Sequence, residues 1–161
     1  MPSLRMTEDE IWPFVADAHN GIFTTLRRDG MPIALPVWFV VIDREIYVQT
    51  RGKKLARLQN DDRASFLVED GTAWKDLRAV HFTGHAHLVT LEGELLERYR
   101  AETLRKYAGS RTARNDMPET TANAYRTAAG GIVKFVPDER ILNWDNRKLQ
   151  TATEPIAEGT R

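Results

Sequence analysis

The spacing of apolar residues changes several times along the chain, and each change marks an element. Ile11, Phe14, Val15 and Ala18 recur at helical spacing behind Thr7 and Glu10, a capping-box pair, so an opening helix is predicted that stops by Gly21. Pro13 lies inside it and removes a backbone donor, which predicts a bend or a later start. From Gly21 the period falls to two, and residues 21–28, 31–42 and 44–50 read as consecutive antiparallel strands, the first pair joined at Asp29-Gly30. In the stretch 31–42, Ile33, Leu35, Val37, Phe39 and Val41 alternate with Ala34, Pro36, Trp38, Val40 and Ile42. Both faces of that strand are therefore apolar, and the second needs a helix or another subunit to cover it.

The remaining pattern is a short helix in "KKLARLQN", a strand in "RASFLVED" and a strand in "RAVHFTGHAHLVT" whose Gly84 predicts a bulge. Helices follow in "EGELLERYRAETLRKYAG" and "ETTANAYRTAAGG", and a long final strand in "GIVKFVPDERILNWD". Six strands with mainly hairpin connections and peripheral helices predict a mainly β fold, a small antiparallel barrel. Residues 1–150 are expected to form one domain and 151–161 a flexible tail with little to bury.

Composition narrows the function. The 161 residues suit a single core, and 23 Lys plus Arg balance 23 Asp plus Glu, so no overall field draws the protein to nucleic acid or an anionic membrane. With no cysteine, disulfides, thiolate catalysis and Cys-ligated metal centres are excluded. The opening residues lack the apolar region of a secretory signal and no apolar run is long enough to span a bilayer, so a cytoplasmic location is expected.

Arg51, Lys53, Lys54 and Arg57 concentrate positive charge at the end of a strand and in the first turn of a helix, beside Gly52. Free backbone N–H groups and the helix dipole favour an anion there, and cations in a first turn oppose the dipole unless a phosphate neutralises them. A solvated helix face is the competing explanation. His85 and His87, with His81 nearby, have strand spacing that can ligate a metal, but no third ligand accompanies them and a polar wall facing a substrate is preferred. Trp38 reads as core, Trp144 as a less comfortable fit among polar residues. No nucleophile elbow, phosphate-binding loop motif or zinc-protease motif is present, so a bound cofactor is expected to supply the chemistry.

The order of "TxxxDGxPxxxPVWF", a basic turn, "DxRxSFLVED", "VHFTGHAHLV" and a closing "WDNRKL" resembles the flavin-binding split-barrel superfamily, the pyridoxamine-phosphate-oxidase-like proteins, over residues 11–149. Its "PVWF", "FLVEDG" and "WDNRKL" are most similar to the branch that binds the deazaflavin coenzyme F420, with FMN-binding oxidases the near alternative. Lys148-Leu149-Gln150 replaces the Arg-Leu-x-Pro of pyridoxamine-phosphate oxidases themselves, which points away from that substrate. The resemblance implies a six-stranded split barrel working as a homodimer. Backbone at Leu35, Pro36, Val37 and Trp38 would lie against the tricyclic ring. Thr50, Arg51, Lys53 and Lys54, with Arg57 close by, would hold the phosphate end, and Trp144, Arg147 and Lys148 would arrive from the partner subunit. The expected activity is hydride transfer between the deazaflavin and a small unsaturated organic molecule. His81, His85 and Tyr47 are within consideration as proton donors, and none is assigned. An FMN oxidase or reductase, a non-catalytic cofactor- or haem-binding protein and an interaction module with an empty site are the rivals.

Overall fold

The computed structural model describes residues 3–127 and 130–149; the expected tail at 151–161 lies outside them. Helix α1 (Glu8–Asp17) starts where the capping box predicts. The Glu10 carboxylate accepts the Thr7 N–H at 2.7 Å, and Ile11, Phe14 and Val15 are buried. Pro13 sits inside α1 without ending it, on the exposed side. The strands are β1 (Gly21–Leu26), β2 (Pro32–Val37), β3 (Phe39–Ile42), β4 (Glu45–Arg51), β5 (Arg63–Asp70), β6 (Arg78–Val89) and β7 (Gly130–Asp145). Helix α2 (Lys53–Asn60) follows β4; α3 (Gly93–Tyr107) and α4 (Glu119–Thr127) lie between β6 and β7.

The described residues thus hold seven strands where six were expected, because the predicted strand 31–42 divides at Trp38. The sheet order is β2-β1-β5-β6-β7-β4-β3, all neighbours antiparallel. Strands β2 and β3 are therefore the two edges of one sheet, yet a single residue joins them. One residue spans only about 3.8 Å between successive Cα atoms, so the sheet must curl until its edges meet at Trp38. That is a split barrel. The division left no mark on the hydrophobic pattern, since the two-residue period runs unbroken through residue 38.

The concave face holds the core. Phe23, Phe66, Phe82 and Phe135 are at most 1% exposed, and each contributes about 1.5–3 kcal/mol by leaving water. Phe66 lies 4.8 Å from Phe39 and 6.1 Å from Phe23 and Phe135, ring centroid to centroid. The bulge expected at Gly84 is present: the β6–β7 register shifts between Phe82 and Gly84, and a Cβ at Gly84 would stand 2.2 Å from the Val136 carbonyl oxygen.

The convex face is covered on one half only. There α3 packs on Val40, Ile42 and Tyr47, with Leu91 and Tyr107 completing a second core. On the other half the registers align Pro36, Ile22, Leu67, His81 and Leu142 in one row across five strands. No described element lies over that row. Leu142 (48% exposed), Trp144 (41%) and Trp74 (68%), on a 3-10 turn at Trp74–Asp76, extend the apolar surface at its far end. No helix among the described residues is long and apolar enough to cross a membrane.

Candidate functional site

Strand β4 ends at Arg51, and Gly52 turns the chain into α2 with φ +64°, a left-handed conformation that glycine adopts without penalty. A cleft of about 670 Å³ opens at this turn. Pro36, Val37 and Trp38 form one wall, Gln49, Thr50, Arg51 and Lys54 a second, and Ser110, Arg111, Thr112 and Met117 a third. The break between β2 and β3 thus places the predicted ring-binding segment against the predicted phosphate-binding turn. Thr50 is buried, and Lys54 is half-buried.

Cations without an acid partner are concentrated at this turn. Many elsewhere have one: Arg44 with Glu8, Arg78 with Asp70, Arg98 with Asp43, Arg105 with Glu102. Among the described residues, Lys53, Lys54, Arg57 and Arg28 have no carboxylate within ion-pair distance. Burial, then the neighbouring Arg57 charge, holds the Lys54 ammonium below its ordinary pKa. A half-buried cation beside another cation is the arrangement an incoming anion relieves.

Lys53 and Arg57 face a second groove of about 570 Å³ along α2, lined also by Arg27, Arg28, Ile33 and Asn60. The Arg57 guanidinium also reaches Thr25 Oγ1 at 3.5 Å. Leu35 is 38% exposed on β2 and lines neither opening. Trp144, Arg147 and Lys148 lie away from the cleft in their own chain. Thr50 pairs with Gly131 near the start of β7, whereas Trp144 is at its other end. Arg147 pairs with buried Asp145 (2.6 Å) and Lys148 with Glu10 (2.7 Å).

Trp38 was expected in the core but is 38% exposed on the cleft wall, its indole stacked on Tyr107 at 4.5 Å and 7°. Tyr47 is buried under α3 and donates to Glu45 Oε2 at 2.8 Å; burial, then that hydrogen bond, raises its pKa. His85 Nδ1 is 2.9 Å from Asp62 Oδ1, and His87 Nε2 3.7 Å from Asp62 Oδ2, so both histidines meet a carboxylate that their strand spacing did not announce. No group of three or more His, Asp or Glu among the described residues has the geometry to hold a metal ion. The sequence does not single out Gln49, and it leaves open whether the polar loop at 110–118, which carries Ser110, Arg111 and Thr112, closes over the site. The polar composition of the loop after α3 was the only signal available for them.

These features define a split-barrel domain with a cation-rich turn in a cleft at the strand break. The chain belongs to the pyridoxamine 5'-phosphate oxidase family, whose model matches residues 7–141. It is similar to the conserved hypothetical protein Rv2991 from Mycobacterium tuberculosis, with 31% identity, a TM-score of 0.74, and 99% of this chain and 96% of that one covered. The haem storage protein HutZ from Vibrio cholerae shares the fold at 14% identity, covering 88% of this chain and 94% of that one (TM-score 0.61). So does the FAD binding protein from Mycobacterium smegmatis at 19% identity, covering 86% and 95% (TM-score 0.56). No curated protein matches the chain.

Proposed function

We propose that this protein is an oxidoreductase that binds the deazaflavin coenzyme F420 and reduces a small unsaturated organic substrate, working as a homodimer. The observation that carries this reading is the run of cations without carboxylate partners that begins at Lys54 in the cleft and continues through Lys53, Arg57 and Arg28 into the second groove. A single phosphate needs only the first part of that run. A coenzyme whose phosphate is followed by a tail of carboxylates uses all of it, which favours F420 over FMN.

The chain's residues would act by binding and positioning. Thr50, Arg51 and Lys54 are the candidates to hold the phosphate, with Lys53 and Arg57 towards the tail, and the backbone at Pro36, Val37 and Trp38 sets the ring's wall. The bound coenzyme supplies or accepts a hydride, so reduction of a substrate double bond consumes that hydride and one proton. Alignment of the two reactants and exclusion of water are what the cleft contributes. None of Tyr47, His81 and His85 lines the cleft, which supports solvent as the proton source.

The uncovered row Pro36-Ile22-Leu67-His81-Leu142 supports the homodimer. A two-fold axis lying across the row brings its Leu142–Trp144 end over the Pro36 end of the second copy. A two-fold along the row would set basic cleft against basic cleft. The first arrangement would deliver Trp144 to the partner's cleft. Arg147 and Lys148 would have to exchange their Asp145 and Glu10 partners to follow it.

Titrating the purified protein with F420 carrying several glutamates, and separately with FMN, tests the proposal through chromophore fluorescence. F420 is expected to bind more tightly, and Lys53→Ala with Lys54→Ala to weaken it by at least about 100-fold, since hydrogen bonds to charged groups contribute about 1.5–3 kcal/mol each. Tighter binding of FMN, or of neither, overturns it, and sedimentation as a monomer overturns the dimer.

A further inference from the structure

Trp38 occupies the one residue that links the two edges of the sheet, where a tryptophan is not required by the fold. Its indole has two faces. One is stacked on Tyr107, and His19 meets its edge at 5.8 Å and 75°. A side chain so placed, yet 38% exposed on a cleft wall, offers its second face to the cleft. Core packing would have covered both.

The backing is rigid. Tyr107 is 1% exposed, its hydroxyl accepts the Phe39 N–H at 2.8 Å, and the carbonyls of His19 (2.9 Å) and Phe39 (2.8 Å) are within reach of its proton. Lys106 Nζ donates to the same Phe39 carbonyl at 3.0 Å and lies 3.7 Å from the Phe39 ring centroid. Two adjacent α3 residues therefore replace the ladder hydrogen bonds that the strand break removes, and they fix the backbone next to Trp38. A flat aromatic held from behind with one face open is pre-organised for stacking, and little conformational entropy is lost when a ligand meets it.

We propose that Trp38 is a stacking platform for the substrate, a planar, electron-poor conjugated ring, and that Tyr107 and Lys106 are the positioning residues of that platform. The substrate class follows from the indole face, which carries negative quadrupole density and prefers a ring depleted of electrons. This inference rests on the reading that a redox coenzyme shares the cleft, and it assigns the second reactant's place.

The test uses 1,4-naphthoquinone as the planar probe and its saturated analogue, decahydronaphthalene-1,4-dione, as the control. Binding is measured calorimetrically to the protein with and without coenzyme, and coenzyme affinity is titrated in parallel. The wild type should prefer the quinone, and Trp38→Leu should remove about a 5- to 10-fold preference, the size of one aromatic pair. Trp38→Phe and Tyr107→Phe should keep most of the preference, because each retains a ring. Tyr107→Leu should lose it while leaving affinity for the saturated dione unchanged, which a general loss of structure would not do. Unchanged preference in Trp38→Leu overturns the platform. So does a loss confined to coenzyme affinity, since the indole would then serve the coenzyme. If the wild type binds no coenzyme but the protein alone still prefers the quinone, the coenzyme reading fails and the platform stands.

Discussion

The hydroxyl of Tyr107 holds the strand break together, and Tyr107→Phe isolates that role. The substitution keeps the ring, hence the stack on Trp38, and removes only the oxygen. Phe39 is 2% exposed, so its N–H loses its 2.8 Å acceptor in a place water does not reach. An unsatisfied buried donor costs about 1–3 kcal/mol. The Phe39 carbonyl keeps Lys106 at 3.0 Å, so only the donor side is orphaned, and His19 loses a bond on an exposed residue. We expect a loss of about 2 kcal/mol, a fall of about 4–8 °C in Tm for a chain of this size. Urea denaturation measures it, with an unchanged m-value showing that the comparison holds. A change below about 0.5 kcal/mol, the range of an ordinary surface substitution, would refute the claim that this hydroxyl replaces the missing ladder bond.

Further expectations concern backbone and charge. Gly84→Ala puts a methyl 2.2 Å from the Val136 carbonyl oxygen in a buried bulge, so it should destabilise by about 1–3 kcal/mol in the same assay; neutrality would mean that the two strands separate freely. At Gly52 nothing lies within 4 Å of an added Cβ, so Gly52→Ala should cost only the backbone strain of φ +64°, ψ −130°, a region that residues other than glycine rarely enter, about 1–3 kcal/mol, read as a Tm shift, with coenzyme affinity lowered as the turn relaxes. Burial first pulls Lys106 down to about 8 from 10.5. The unfolded chain then binds more protons than the folded one across that window, so stability rises with pH between about 8 and 10.5 relative to Lys106→Met. Melts at pH 7.5 and pH 10 check the sign, and a difference that shrinks or stays flat contradicts it.

Local chemistry made much of this protein readable as a sequence. The Thr7–Glu10 box, the Asp29-Gly30 turn, the bulge at Gly84 and the basic turn at Arg51–Arg57 are decided by neighbours in the chain, so spacing and residue type suffice to find them. Tertiary structure decided the rest. Whether residues 31–42 make one strand or two depends on whether its halves pair with different neighbours, β1 for one and β4 for the other, and the two-residue period is the same in both cases. Trp38 read as core because alternation reports a side chain's face and not what lies over that face. The pairing of His85 and His87 with Asp62 depends on the β5–β6 register, which sets Arg63 opposite His85, and the third cleft wall comes from the loop after α3, far away in sequence. The curl of the sheet follows from two edge strands joined by one residue, a global constraint with no local signature.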